Sequence, residues 1–162
     1  MTIGNGYLGT RGCFEGENAS LFHYPGTYIA GIYNKLPTKI ANKLIYNNDF
    51  VNCPNWLCLD FKLDTGKYQS LLKQRILSYK QTLNMKEGYM ERIIVVEDDL
   101  RRITRIHSKR FASMADPHIC AISYEITPVN YSARMFVRSG LDGNIINAGV
   151  YRYKDLASQH LE

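Results

Sequence analysis

Hydrophobic and polar residues alternate with a period of two through much of the chain, the spacing of strands that bury one face. Leu57, Leu59, Phe61 and Leu63 fall on one side while Cys58, Asp60 and Lys62 fall on the other. HICAISYEITP repeats the pattern with Cys120, Ile122, Tyr124 and Ile126. A third case sets Ala133, Met135 and Val137 against Arg134 and Arg138, with Phe136 on the basic side. Tyr89 to Val96 (YMERIIVV) is apolar on both faces in its second half, as in a strand covered from two sides. Lys86-Glu87-Gly88 before it and Asp98-Asp99 after it supply turn chemistry. Together these predict a meander of antiparallel strands from about residue 75 to 138. Tyr68, Leu71, Leu72, Ile76 and Tyr79 fit a helical stripe, yet RILSYKQTL also reads as an irregular strand; loop followed by strand is expected. Elsewhere glycines, prolines and β-branched residues interrupt any helical candidate longer than two turns. The expected fold is all-β, an antiparallel β-sandwich with few or no helices, in a single domain spanning residues 1–162.

Composition narrows the class. The 162 residues suffice for one domain with a real core, and 45% are hydrophobic against 22% charged. No apolar run is long enough to span a bilayer, and no basic stretch leads into an apolar one at the start, so a soluble, intracellular chain is expected. Of the four cysteines only Cys53 and Cys58 are close, in CPNWLC, a spacing that fits neither a redox CxxC nor a zinc pair; reduced, mostly buried thiols are expected. His23, His107, His118 and His160 show no metal-ligand spacing. The net charge of +5 suits an anionic partner, but the basic residues are dispersed. The densest cluster, RRITRIHSKR at 101–110, is interleaved with Ile103 and Ile106 and reads as a solvated strand face, not a nucleic-acid footprint.

Gly4-Asn5-Gly6-Tyr7-Leu8-Gly9 spells GxGxxG, the pattern of dinucleotide-binding loops. That chemistry needs a buried strand feeding the loop and a helix opening from it, whose N-terminus holds the pyrophosphate. Three residues precede Gly4, too few for a feeding strand, and Gly12 and Gly16 would spoil a following helix. The glycines are expected to allow positive φ or close packing.

Several stretches carry a family resemblance. IGNGYLGTRGCFEG, YPGTYIAGIYNKLP (24–37), VNCPNWLCLDFKLD (51–64), YKQTLNMKEGYMER (79–92), RFASMADPHICAISYEITPVNYSARMFVRSGLDGNIINAG (110–149) and YRYKDLASQHLE resemble, in order, the N-terminal domain of glycoside hydrolase family 65. This is the family of maltose, trehalose and kojibiose phosphorylases. The resemblance implies cytoplasmic, commonly dimeric enzymes that cleave α-linked glucose disaccharides with inorganic phosphate as co-substrate, inverting the anomeric centre, without a further cofactor. It implies an N-terminal super-sandwich, a helical linker, a catalytic (α/α)6 barrel and a small C-terminal β-domain, only the first of which is represented here. Inverting cleavage needs a carboxylic acid to protonate the leaving oxygen, and phosphate serves as the nucleophile. By resemblance both act in the barrel, so no catalytic residue is expected in this chain. The family has residues before NGYLG and a sandwich that runs on beyond Glu162, so a natural or man-made fragment is expected, with an incomplete sandwich. Its final Leu-Glu is either native or the remnant of a tag. Its partners are expected to be the barrel, a second copy in a homodimer and, through the parent enzyme, the disaccharide; neither nucleic acid nor membrane is expected. A hydrolase of the same disaccharides is the other parent enzyme the resemblance admits, and the alternative to either is a free-standing carbohydrate-binding module.

Asn5, Tyr7, Arg11, Tyr28 and Asn34 lie in the two glycine-rich stretches most characteristic of the family. They either shape the mouth of the barrel's active site or form internal turns. Arg11 suits a bidentate bond to an interdomain carboxylate or is a surface arginine. Trp56, the sole tryptophan, is a candidate sugar platform, although aromatic residues of sandwiches are mostly core. Asp60 and Asp64 flank a strand end and are weighed as a glycosidic carboxylate pair, while Asp116-Pro117-His118 reads as a turn.

Overall fold

A computed structural model describes residues 1–20, 22–64, 66–68, 70–147 and 155–161. Residues 148–149 and 151–154 of the characteristic segments, and the final Glu162, lie outside the described residues. Within them the chain is all-β. Eleven strands run in order as β1 (Thr2–Gly4), β2 (Leu8–Arg11), β3 (Thr27–Ile29), β4 (Tyr33–Ile40), β5 (Lys43–Phe50), β6 (Asn55–Leu63), β7 (Arg75–Asn84), β8 (Tyr89–Glu97), β9 (Ile103–Ala112), β10 (Cys120–Pro128) and β11 (Met135–Asp142).

All pairings are antiparallel. β7 to β10 form a four-stranded sheet in the order β10-β9-β8-β7, β6 pairs with β11, β1 to β3 make a small sheet, and β4 with β5 is a long two-stranded hairpin. The apolar core lies between the four-stranded sheet and the β6–β11 pair. Ile94, Val96 and Ile106 from the first layer meet Phe61 from the second, with Leu71 closing one end and Phe14, Leu63, Tyr124, Ile126 and Met135 packed around them. The alternation seen in β6 and β10 thus corresponds to the inward faces of two opposed layers. At about 25 cal/mol per Å² of apolar surface, each of these large side chains contributes roughly 2 kcal/mol when fully buried.

Three details depart from the sequence pattern. The meander ends at Pro128, short of residue 138: the Asn130 side chain accepts from the Ile103 N–H and donates to the Arg101 carbonyl, closing the end of the sheet, and β11 crosses to pair with β6. Val137 is exposed, so of the β11 alternation only Met135 reaches the core. The basic 101–110 segment is not uniformly solvated, because Arg110 is completely buried. The ambiguous segment is a single 3-10 turn, Leu71–Lys73, leading into β7, and an irregularity between Ile76 and Ser78 leaves both Ile76 and Leu77 exposed.

Candidate functional site

GxGxxG closes the β1–β2 hairpin. The register pairs Gly4 with Gly9, so a three-residue strand does feed the loop, and a strand leaves it where a dinucleotide site requires a helix. Asn5 organises the turn: its Oδ1 accepts from the N–H groups of Tyr7 (3.1 Å) and Leu8 (2.8 Å), while Nδ2 donates to the carbonyls of Ser113 (2.6 Å) and Pro117 (3.0 Å). Tyr7 adds an edge-on contact with His118, ring centres 4.5 Å apart. These two residues staple the hairpin to the loop before β10.

Immediately downstream, residues 11–15 cover the charged end of the four-stranded sheet. Arg92 and Arg110 point inward from the two central strands, on the same faces as Ile94 and Ile106. Arg92 donates Nη1 to Glu15 and Nη2 to the Gly12 carbonyl (2.9 Å), with its guanidinium 4.1 Å above the Phe14 ring. Arg110 donates Nη2 to the Cys13 carbonyl (2.8 Å), and its Nη1 lies 3.4 Å from Glu15 Oε1, an ion-pair contact. The side chains of Glu15 and Arg92 are each 3% exposed and that of Arg110 is 1% exposed. Burial pushes the Arg110 guanidinium down to about 10 against the pull of Glu15, which still leaves it cationic at neutral pH. Two buried cations thus share one carboxylate and the carbonyls of a glycine-containing loop. Sequence pattern gave no sign of this cluster, because charges at period two read as solvent-facing.

Arg11 leaves β2 beside this network. Its guanidinium stacks 4.2 Å from the Tyr24 ring, and Nη2 donates to the Tyr28 hydroxyl at 3.3 Å. Burial and a hydrogen bond with Tyr24 raise the Tyr28 hydroxyl to about 12. Tyr28 stacks on Phe50 (5.3 Å), and Phe50 packs on Tyr33 (5.2 Å), so an aromatic ladder runs from β3 onto the β4–β5 hairpin. Trp56 sits on the other side of β2, donating Nε1 to the Oγ1 of buried Thr10 at 3.3 Å. Asn34 lies on the hairpin's inner face and donates to the His160 carbonyl at 3.4 Å. Of the six residues singled out in the sequence, Arg11 and Tyr28 are in contact; Asn5 with Tyr7, Asn34, and Trp56 occupy three other places.

The carboxylates are engaged locally. Glu15, Glu17 and Asp60 line a cavity of about 10 Å³ beside Leu71 and Tyr124, the room of roughly one water molecule. Glu17 accepts from the Ser70 hydroxyl (2.7 Å), Asp60 takes both arms of Arg138, and Asp64 accepts from the Arg134 N–H. Asp116 accepts from the His118 N–H within its turn, which holds its carboxyl below the usual range.

His23 is buried, and its Nε2 has no hydrogen-bond partner among the described residues. Burial lowers its pKa below the ordinary 6.5, with Arg92 and Arg110 adding to the effect and Glu17 opposing it. The unfolded chain therefore takes up this proton before the folded one does. His23's contribution is fully present above pH 6.5 and is lost as pH falls through the depressed folded value. Denaturant titrations at pH 7 and pH 5 are expected to show less loss on acidification in His23→Phe than in the parent; equal losses would contradict this account.

These features define an all-β domain whose inward-facing charges are committed to its own loops and strands. The family model described as glycosyl hydrolase family 65, N-terminal domain, matches residues 1–162, and the chain belongs to that family. It is 41% identical over 159 residues to an uncharacterized glycosyl hydrolase of Mycobacterium tuberculosis, covering 98% of this chain and 12% of the relative. It is 37% identical over 148 residues to a kojibiose phosphorylase of Thermoanaerobacter brockii (91% and 18%) and 34% identical over 150 residues to a maltose phosphorylase of Bacillus subtilis (90% and 19%). The chain thus spans less than a fifth of the length of these relatives. Among the described residues no helix is long and apolar enough to cross a membrane.

Proposed function

We propose that this domain is the non-catalytic N-terminal sandwich of a cytoplasmic, homodimeric phosphorylase that cleaves an α-linked glucose disaccharide with inorganic phosphate. The domain scaffolds the catalytic barrel of that enzyme and supports its dimerisation. Kojibiose and maltose phosphorylases among the relatives supply the reaction class. The observation that carries the non-catalytic assignment is the engagement of Glu15, Glu17 and Asp60. An inverting phosphorolysis needs a carboxylic acid free to protonate the departing oxygen and a cleft that admits a disaccharide. Here the three acids that share a cavity are each held by a partner, and the cavity has about 10 Å³.

Phosphate release assays with kojibiose, maltose and trehalose, run in the phosphorolytic direction, are expected to show no turnover with residues 1–162 alone. The full-length polypeptide is expected to be active on at least one of them. Turnover by the short chain would refute the assignment. A second reading, a carbohydrate-binding module, rests on the exposure of Tyr33 and Tyr46 on one face of the β4–β5 hairpin. It predicts saturable heats when glucose disaccharides are titrated into the 162-residue chain, where the scaffold assignment predicts none.

A further inference from the structure

The β4–β5 hairpin has two faces of opposite status. Its register pairs Asn34 with Asp49, Leu36 with Asn47 and Thr38 with Ile45 on one side. That inner side is backed by the chain's own C-terminal segment. The Ala157 N–H donates to Thr38 Oγ1 (2.8 Å), Asn47 donates to the Ala157 carbonyl (3.3 Å), and His160 Nε2 lies 3.3 Å from Asp49. On the outer side the register pairs Tyr33 with Phe50, Lys35 with Asn48, Pro37 with Tyr46 and Lys39 with Leu44. Every one of these eight residues is exposed, Leu44 at 57% and Tyr46 at 62%. The tip is a two-residue turn with positive φ at both Ala41 (45°) and Asn42 (62°), the sign found in hairpin turns whose twist matches that of the paired strands. An alanine carries that conformation at a steric cost that glycine would avoid.

A two-stranded ribbon with tyrosine, leucine, proline and phenylalanine on its outer face is poorly suited to water. Tyrosine and phenylalanine are the residues enriched at protein interfaces, and the lysines among them set the sign of what covers the face. A second copy on this face would bring the lysines of both copies onto a surface that carries no carboxylate to answer them, which disfavours a self-contact here. Meanwhile more than four-fifths of the length of the relatives lies outside the matched segment.

We propose that the outer face of the β4–β5 hairpin is the surface on which an acidic patch of the enzyme's larger catalytic portion docks, with Tyr46, Leu44 and Phe50 as apolar anchors and Lys35 and Lys39 as paired cations. This rests on the assignment of the chain as one domain of a longer phosphorylase. The Arg11–Tyr28–Phe50–Tyr33 ladder then joins the docked face rigidly to the body of the sandwich.

The test is zero-length carbodiimide coupling, which joins lysine amines only to carboxylates in direct contact, on the full-length polypeptide, followed by peptide mass spectrometry. Links from Lys35 or Lys39 to carboxylates outside residues 1–162 of the same chain are expected. In Lys35→Glu/Lys39→Glu those links vanish, and the full-length protein loses several degrees of thermal stability while the 162-residue chain, where both lysines are solvated, keeps its own. Links confined to residues 1–162, or links between isotopically distinguishable copies at this face, would overturn the proposal. So would saturable disaccharide binding that Tyr46→Ala abolishes. Phosphorolysis measured on the same preparation separates the two levels: an active enzyme without the links sinks the docking surface alone, whereas an inactive one with the links leaves docking standing and refutes the phosphorylase assignment.

Discussion

Replacing Glu15 by alanine is expected to cost the domain about 3–5 kcal/mol, the penalty for leaving a buried charge without its partner. The whole stability of a domain is typically only about 5–15 kcal/mol, so this single change brings the fold close to failure. The reason is electrostatic. Glu15 is the carboxylate that faces both Arg92 and Arg110. Without it two guanidinium groups remain against loop carbonyls in a medium where each solvated cation has lost its water. Urea denaturation followed by fluorescence of Trp56 measures the effect, because Trp56 is bonded to Thr10 one residue before the network begins. The companion Glu15→Leu/Arg92→Met/Arg110→Leu variant is expected to recover much of the loss, since apolar residues of similar size replace the ions without stranding any. A Glu15→Ala midpoint equal to that of the parent would mean that the carbonyls of residues 11–13 alone satisfy both arginines.

Gly16→Ala is expected to lose about 2–4 kcal/mol by a different route. Gly16 has φ +72°, and a Cβ there would meet the Leu59 carbonyl oxygen at 2.8 Å and Asp60 Cβ at 2.9 Å. The left-handed conformation costs about 1 kcal/mol or more for alanine, and the contact with the backbone of β6 adds an overpacking cost of about 1–3 kcal/mol. Gly6→Ala is the control. Its φ is +89° but nothing lies within 4 Å of its Cβ position, so only the conformational part is paid. A Gly16→Ala midpoint matching that of Gly6→Ala would show that β6 yields to the extra methyl.

The layers of the fold were legible in the sequence wherever one face was uniformly apolar. Leu57 and Phe61 alternate out of polar neighbours and are indeed inside, and Tyr124 and Ile126 pack against the core from β10. The family-typical glycines were legible as places of close approach, and Gly12 and Gly16 each leave less than 3 Å for a Cβ against backbone oxygen. What escaped was the charge. Period two assigns a face but not its environment, and Arg92 and Arg110 sit in register with buried isoleucines because a loop some eighty to one hundred residues earlier brings them a carboxylate and carbonyl groups. The hairpin escaped as well. Its outer face mixes tyrosines with lysines and its inner face mixes asparagines with isoleucine, so neither has the contrast by which strands are recognised. Arg11 and Tyr28 were named for their stretches, and the structure joins them by a direct hydrogen bond beside Tyr24, whereas Asn34 and Trp56 answer to neighbours that no local pattern encodes.

The clasp of residues 157–160 on the hairpin has a consequence for the order of assembly. Thr38 and Asn47 receive their partners from positions more than one hundred residues later. On a ribosome the hairpin emerges early and waits for that backing until more than one hundred further residues have been synthesised, and contacts so distant along the chain form slowly even then. Leu36 and Ile45, on the face that the clasp backs, are therefore the apolar side chains a nascent-chain chaperone would hold until residues 157–160 arrive.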